Sequence, residues 1–238
     1  MGDTRQFTLA ILLLLVWTAR SYRLMQSRGA RIAARRFATE VENAVVKPVP
    51  KVPASAWKWP PVWPFPPDYL DPITDTSTYS SIEFNEAQTA ALQDHIKWYV
   101  EPSSAVMEIG VQKSGVLSPT TNVKYSSLSD GAFAGKESEV IAGADGNTLA
   151  MSFPDESFDT VVVTSGIEAV KNPRELFRDV WRVLKPKGKC IICFGGKPNV
   201  SGGQPLRMWT TMNDEQKIWI AGSYYQYSTG AGWENIEG

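Results

Sequence analysis

The 238-residue sequence has little of what disulfide scaffolds and metal centres are built from: two cysteines and one histidine. That scarcity excludes a disulfide framework and argues against a zinc site or a cysteine–histidine catalytic pair. Net charge is missing too, with 24 Lys+Arg against 25 Asp+Glu, so no overall field draws the chain to nucleic acid. No apolar run reaches the roughly 20 residues that a membrane span needs. The longest, FTLAILLLLVW, runs from Phe7 to Trp17. Acid is absent locally as well: between Asp3 and Glu40 there are seven arginines and neither Asp nor Glu. What is present is an apolar content of 43%, ordinary for a globular protein, in a length that suits one domain with appendages.

The first 46 residues read as an address. The run from Phe7 to Trp17 suits the hydrophobic region of a signal peptide, and Ala19-Arg20-Ser21 offers small residues at the cleavage-determining positions. Arg20, Arg23, Arg28, Arg31, Arg35 and Arg36 then stand among Ser and Ala, which is transit-peptide composition. A signal followed by a basic, acid-poor segment resembles the bipartite presequences of proteins sent to secondary plastids in algae. A mitochondrial presequence, or a signal anchor that keeps the chain at a membrane through the Phe7 to Trp17 run, is the alternative.

Residues 47–79 read as a linker or strap. Nine of the sixteen prolines lie in residues 47–72, a density that forbids regular helix and central strand and favours polyproline II. Trp57, Trp59, Trp63 and Phe65 alternate with those prolines. Either the strap lies across the chain's own domain with its rings packed, or it serves a protein partner or a nearby membrane.

Residues 80–238 are punctuated as a globular domain. Asn85 with Gln88 three places on predicts a capped helix whose apolar stripe runs through Leu92, Ile96, Tyr99 and Val100. Strands are expected over residues 105–109, 123–128, 139–142, 158–163 and 189–194. The run FDTVVV (158–163) lacks polar alternation beyond its start, as a strand buried on both faces does. Asn172-Pro173-Arg174-Glu175 opens a helix whose buried stripe is expected to be Leu176, Phe177, Val180, Trp181 and Leu184. Strand, helix and strand at this spacing form a right-handed βαβ unit in a parallel sheet.

Residues 151–194, MSFPDESFDTVVVTSGIEAVKNPRELFRDVWRVLKPKGKCIICF, resemble class I S-adenosylmethionine (SAM)-dependent methyltransferases of the type-11 group. The FPDESFD block, the helix and WRVLKPKGK occur in the family's order and spacing without a gap. IEFNEAQTAALQDHIKWYVEPSSAVMEIG is similar to the family's leading helix and first strand, and LRMWTTMNDEQKIWIAGSYYQY to the late helix of a plant and algal subgroup. The resemblance spans residues 80–238. It implies an α/β fold: a Rossmann-like, doubly wound, mostly parallel sheet with helices on both faces. Its C-terminal strands would be incomplete, because only GWENIEG follows the last helix. An edge so exposed would fall to the strap or to a partner to cover.

The resemblance also implies a site for SAM at the carboxyl ends of the strands, where such sheets bind ligands. Glu108 and Gly110 match the family's first loop. Gln112 and Ser114 replace its second and third glycines, and Gly115 stands one place late, so this glycine loop is degenerate. Where an acid for the ribose is expected the chain has Ser127, with Asp130 the nearest acid. Asp145 stands where the family accepts from the adenine amino group, or is a turn residue before Gly146. Thr164 and Ser165 end the fourth strand, where the family touches the cofactor, or form a polar turn. Asp159 reads as a strand-start residue, and no catalytic residue is assigned, since methyl transfer depends mainly on positioning.

Two readings of function follow. One is a SAM-dependent methyltransferase acting on a small-molecule acceptor. The other is a catalytically inactive methyltransferase-like module that binds or assembles a partner. Cys190 and Cys193, three apart on one strand, point to opposite faces of the sheet and read as packing rather than metal or redox residues. His95, on the leading helix, reads as a surface residue, and Asn199-Val200-Ser201 is a formal glycosylation sequon.

Overall fold

Five parallel strands form one sheet in the order β3-β2-β1-β4-β5, the order of a doubly wound α/β sheet. They are β1 Ala105–Gly110, β2 Asn122–Ser127, β3 Ser138–Val140, β4 Phe158–Val163 and β5 Leu184–Ile192. The computed structural model describes residues 52–77, 79, 84–112, 115–117, 122–128, 133, 136, 138–140, 151–195, 203–230 and 232–238. All of these belong to one compact unit, Val49–Gly238, so the strap and the sheet share a unit. The presequence, Ser114, Asp130, Asp145 and the sequon lie outside the described residues.

The β-branched residues of β1 and β4 explain why these two strands sit centrally. Val106, Met107 and Ile109 of β1, with Val161, Val162 and Val163 of β4, have no exposed surface. Alternation splits them between two apolar clusters, one on each face of the sheet. Met107, Ile109, Val161 and Val163 face α2 (Pro173–Val183) and α4 (Asp214–Thr229), while Val106 and Val162 share the other face with Ile96 of α1 (Glu86–Ile96). Helices therefore cover both faces. No helix among the described residues is long and apolar enough to cross a membrane.

Helix starts follow the sequence closely. The Asn85 side chain accepts from the Gln88 N–H at 2.9 Å and the Gln88 side chain accepts from the Asn85 N–H at 3.0 Å, a reciprocal capping box. The same arrangement at Asn213 and Gln216 opens α4. Ahead of it lies α3 (Arg207–Thr211), which buries Met208 and Trp209.

Two expectations are corrected. Trp181 is not in the buried stripe of α2: it is 48% exposed, and its indole N–H donates to the Gly232 carbonyl. Leu176, Phe177, Val180 and Val183 already define the inward face, and position 181 lies about a quarter-turn away. Leu184 is buried but extended, and it opens β5 directly. Between Phe158 and Thr160 the β4–β5 register shifts from Leu184 to Lys189. The excursion takes in Lys187, whose φ of +66° is left-handed, and Gly188.

The strap lies on the chain's own α4. Trp57 and Trp59 stack at 4.9 Å, and both meet Trp219 of α4 edge-on, at 4.5 and 5.5 Å. Gly222 makes this approach possible, since a Cβ there would lie 2.5 Å from Trp57 ring atoms. Trp63 stacks with Tyr224 at 6.3 Å, and the Tyr227 hydroxyl donates to the Pro60 carbonyl at 2.8 Å. In place of unbroken polyproline II the strap contains two 3-10 turns, Ala54–Ala56 and Pro67–Leu70, the second with proline at its first position, where no N–H is missed. Val52 and Gly238 exchange backbone hydrogen bonds of 2.7 and 3.0 Å. Residues 232–238 carry no strand, so β5 ends the sheet among the described residues. The strap packs on α4 and along Pro205 and Arg207 rather than pairing with β5.

Candidate functional site

The sheet order reverses between β1 and β4, and the site is built where those two strands end. Glu108, two residues before the end of β1, is fully buried. One carboxylate oxygen accepts from the Val116 N–H at 2.7 Å and the Thr164 hydroxyl at 3.0 Å; the other accepts from the Leu117 N–H at 3.0 Å. Burial pushes this carboxyl above the ordinary glutamate value, and the three hydrogen bonds together with the nearby Lys136 ammonium oppose the rise. The carboxylate thus folds the loop after β1 back upon its own strand.

Gly110 and Gly115 are the two glycines that this folding requires. A Cβ on Gly110 would lie 2.7 Å from the Thr164 hydroxyl, 3.0 Å from that of Ser165 and 3.5 Å from the Phe133 ring. A Cβ on Gly115 would lie 2.8 Å from the Tyr125 ring and 3.0 Å from both Glu108 and the Lys136 ammonium. Gly115 therefore serves close approach toward the chain's own side chains.

Thr164 and Ser165 also turn inward. Besides Glu108, the Thr164 hydroxyl reaches the Ile109 carbonyl at 3.3 Å, and the Ser165 oxygen accepts from the Val111 N–H at 3.1 Å. Gln112 is buried; its side-chain carbonyl accepts from the Phe84 N–H at 2.9 Å, and its main-chain carbonyl from the Phe133 N–H at 2.8 Å. Ser127 pairs in register with Gly110 and is buried, so the structure does place that serine beside the glycine where a ribose-binding acid was sought.

Glu108, Gly110, Thr164 and Ser165 are brought together. Asp145 lies outside the described residues. Arg182 ties residues 151–155 to α2: its guanidinium donates to Asp179 at 2.6 Å, to Asp155 and the Phe153 carbonyl at 2.8 Å, and to the Met151 carbonyl at 3.0 Å. These contacts hold the guanidinium firmly charged. Sequence reasoning passed over Arg182, although an arginine on α2 facing the acids of PDES was a readable signal. Phe133 and Lys136 were missed altogether. Lys136 donates to the Tyr125 hydroxyl at 2.8 Å with its ammonium 4.2 Å from that ring's centre.

The decoys resolve structurally. Asp159 accepts from the Ala105 N–H at 2.8 Å and pairs with Lys185 at 2.9 Å, tying β4 to β1 and β5 at the end away from the site. Cys190 packs with one apolar cluster and Cys193 with the other, and burial pushes both thiols up to about 12. His95 is exposed beside Tyr99. No group of residues suited to a metal ion occurs among the described residues.

With this geometry in place, similarity to known proteins is informative. Residues 120–192 match the family model described as a methyltransferase domain. That stretch, under half of the chain, is methyltransferase-like in sequence. A demethylmenaquinone methyltransferase from Listeria welshimeri is 37% identical over 57 residues, 24% of each protein. The ubiquinone/menaquinone biosynthesis C-methyltransferase UbiE from Ruegeria sp. is 34% identical over 101 residues, 40% of each. The chain thus spans well under half the length of these curated relatives. Among solved structures, the [4+2]-cyclase SpnF is similar at 16% identity and a TM-score of 0.33, over 45% of each chain.

Whether these residues suit SAM divides by location. The strand ends offer the right groups, a buried acid, a glycine without side chain and two hydroxyls. Beside Gly110 the Thr164 and Ser165 hydroxyls lie 2.7 and 3.0 Å from the point a Cβ would take, and the Phe133 ring 3.5 Å from it.

Proposed function

We propose that the protein is a SAM-dependent methyltransferase acting on a small-molecule acceptor. The observation that carries this reading is the methyltransferase-domain match over residues 120–192, which takes in β2, β3, β4 and β5 of a sheet whose reversal point gathers Glu108, Gly110, Thr164 and Ser165. SAM, when bound, supplies an activated methyl group. The chain's own task is to hold donor and acceptor in line, which needs no dedicated base unless the acceptor must lose a proton. Demethylmenaquinone, named in several of the relatives, is the first acceptor to assay.

Calorimetric titration of the folded full-length chain with SAM and with S-adenosylhomocysteine tests the reading. Binding of at least one is expected, and Asp145→Ala should weaken it by about ten- to a hundredfold, the worth of a hydrogen bond to a charged group. No heat from either ligand overturns the reading. An unchanged affinity in the variant removes Asp145 from the site.

A second reading, a non-catalytic module that binds a partner, is favoured by one observation: both oxygens of Glu108 are already engaged by Val116, Leu117 and Thr164. In that reading the strap's outer surface meets a protein partner or a membrane.

The plastid is the proposed site of action, on the signal-plus-transit pattern of residues 1–46. Fused to a fluorescent protein and expressed in an alga with a secondary plastid, those residues should deliver it to the stroma. Accumulation in mitochondria, or retention at an internal membrane, would reject that destination.

A further inference from the structure

Phe133 stands apart from both apolar clusters of the described residues, although only 1% of its surface is exposed. Its surroundings are the ends of the strands. The tip of the ring comes within 3.5 Å of the point that a Gly110 Cβ would take, and the Thr164 and Ser165 hydroxyls lie 2.7 and 3.0 Å from that same point. The ring also meets Tyr125 at 4.8 Å, and Tyr125 is in turn held by Lys136.

The backbone at Phe133 is left-handed, with φ of +54°, a conformation that costs a bulky residue energy and persists only where the surroundings enforce it. Here the enforcement is visible. The Phe133 N–H donates to the Gln112 carbonyl at 2.8 Å, and the Lys136 N–H donates to the Phe133 carbonyl at 3.0 Å. Gln112 is itself fixed, because its side chain accepts from Phe84. A strained backbone thus sets an aromatic ring against the polar strand ends, where a ligand of such a sheet would sit.

We infer that Phe133 is the residue that closes the crevice beside Gly110, and that a ligand enters only when the ring swings out. This rests on the proposed use of that crevice for a nucleoside-type cofactor, and it adds a control on the same site. Gln112 and Gly115 are then parts of the closure: one anchors the strained backbone, and the other lets the loop return close to Tyr125 and Lys136. Apparent affinity falls in proportion to the population of the open state.

The test reads accessibility, independent of any cofactor. In the full-length chain carrying Ser165→Cys, the new thiol should react slowly with iodoacetamide. Adding Phe133→Ala should speed it by about tenfold or more, because the thiol is then uncovered whenever the ring would have closed. Cys190 and Cys193, half-buried against the two apolar clusters, should label no faster in the variant than in the natural chain and so report an intact fold. If the native cysteines label faster in Phe133→Ala, Phe133→Gly takes its place, since glycine accepts the left-handed backbone without strain. An unchanged rate at position 165 in a folded variant overturns the inference. A second arm titrates S-adenosylhomocysteine, which should bind the ring-free variant about tenfold more tightly than the natural chain. Faster alkylation with no binding to either protein would sink the cofactor reading and leave the role of Phe133 standing.

Discussion

Glu108→Ala is expected to destabilise the protein by about 3–5 kcal/mol, the cost of leaving several buried donors without an acceptor. The Val116 and Leu117 N–H groups lose their acceptor at once, and the Thr164 hydroxyl keeps only its longer contact of 3.3 Å to the Ile109 carbonyl, at a position where Glu108 has no exposed surface. The loss should appear as a lower urea midpoint with an unchanged slope, together with faster amide exchange at residues 116 and 117. Glu108→Gln separates charge from shape. Its amide presents a donor toward one of the two N–H groups, so it should also destabilise, though less. The pH dependence has a definite sign. Burial holds the folded-state carboxyl above the ordinary value of 4.5, so the folded protein binds this proton more tightly than the unfolded chain. The contribution of Glu108 is therefore fullest below about 4.5 and declines as pH rises through the folded value. Both variants should lose that segment of the stability profile. A variant as stable as the natural protein would show that the loop after β1 is held by something other than the carboxylate.

The same residue shows why the fold was more legible than the site. FDTVVV announces a buried strand, and β4 occupies those residues, because burial on both faces leaves a local pattern of β-branched residues. Asn85 and Gln88 announce a helix start through contacts three residues apart. Glu108, Gly110, Thr164 and Ser165 could be placed at strand ends by the same periodicity. What they do there depends on partners that local spacing does not reveal: Thr164 lies 56 positions from Glu108. Gly115 read as a misplaced ligand glycine, yet its missing Cβ makes room for Tyr125, Glu108 and Lys136. Phe133 gave no signal at all, since a lone aromatic between Gly131-Ala132 and Ala134-Gly135 has no period. Trp181 failed for the opposite reason. It fell near an apolar stripe, but four other residues had already filled the face that turns inward.

The strap was legible in half. Alternating tryptophans among prolines say that rings are to be buried, but not against what, because Trp219 and Tyr227 lie more than 150 positions away in the sequence. Their meeting makes Trp219→Ala the second large effect. Trp219 is the edge on which both Trp57 and Trp59 rest, at 4.5 and 5.5 Å. Truncating it removes two aromatic contacts and opens a void beneath a stacked pair, an expected loss of about 3–4 kcal/mol. The Val52–Gly238 exchange and the Trp63 and Pro60 contacts remain, so the part released is the stretch around Trp57 and Trp59. The readout is local. Lys58, which separates the two tryptophans in the sequence, is exposed, and trypsin should cleave after it about tenfold faster in the variant, in step with the population of the detached strap. A residue on α4 that leaves the strap seated when removed would not change this rate. Equal cleavage of the two proteins would mean that the tryptophans of the strap are anchored elsewhere, and the partner reading of that segment would gain what the domain's own helix had lost.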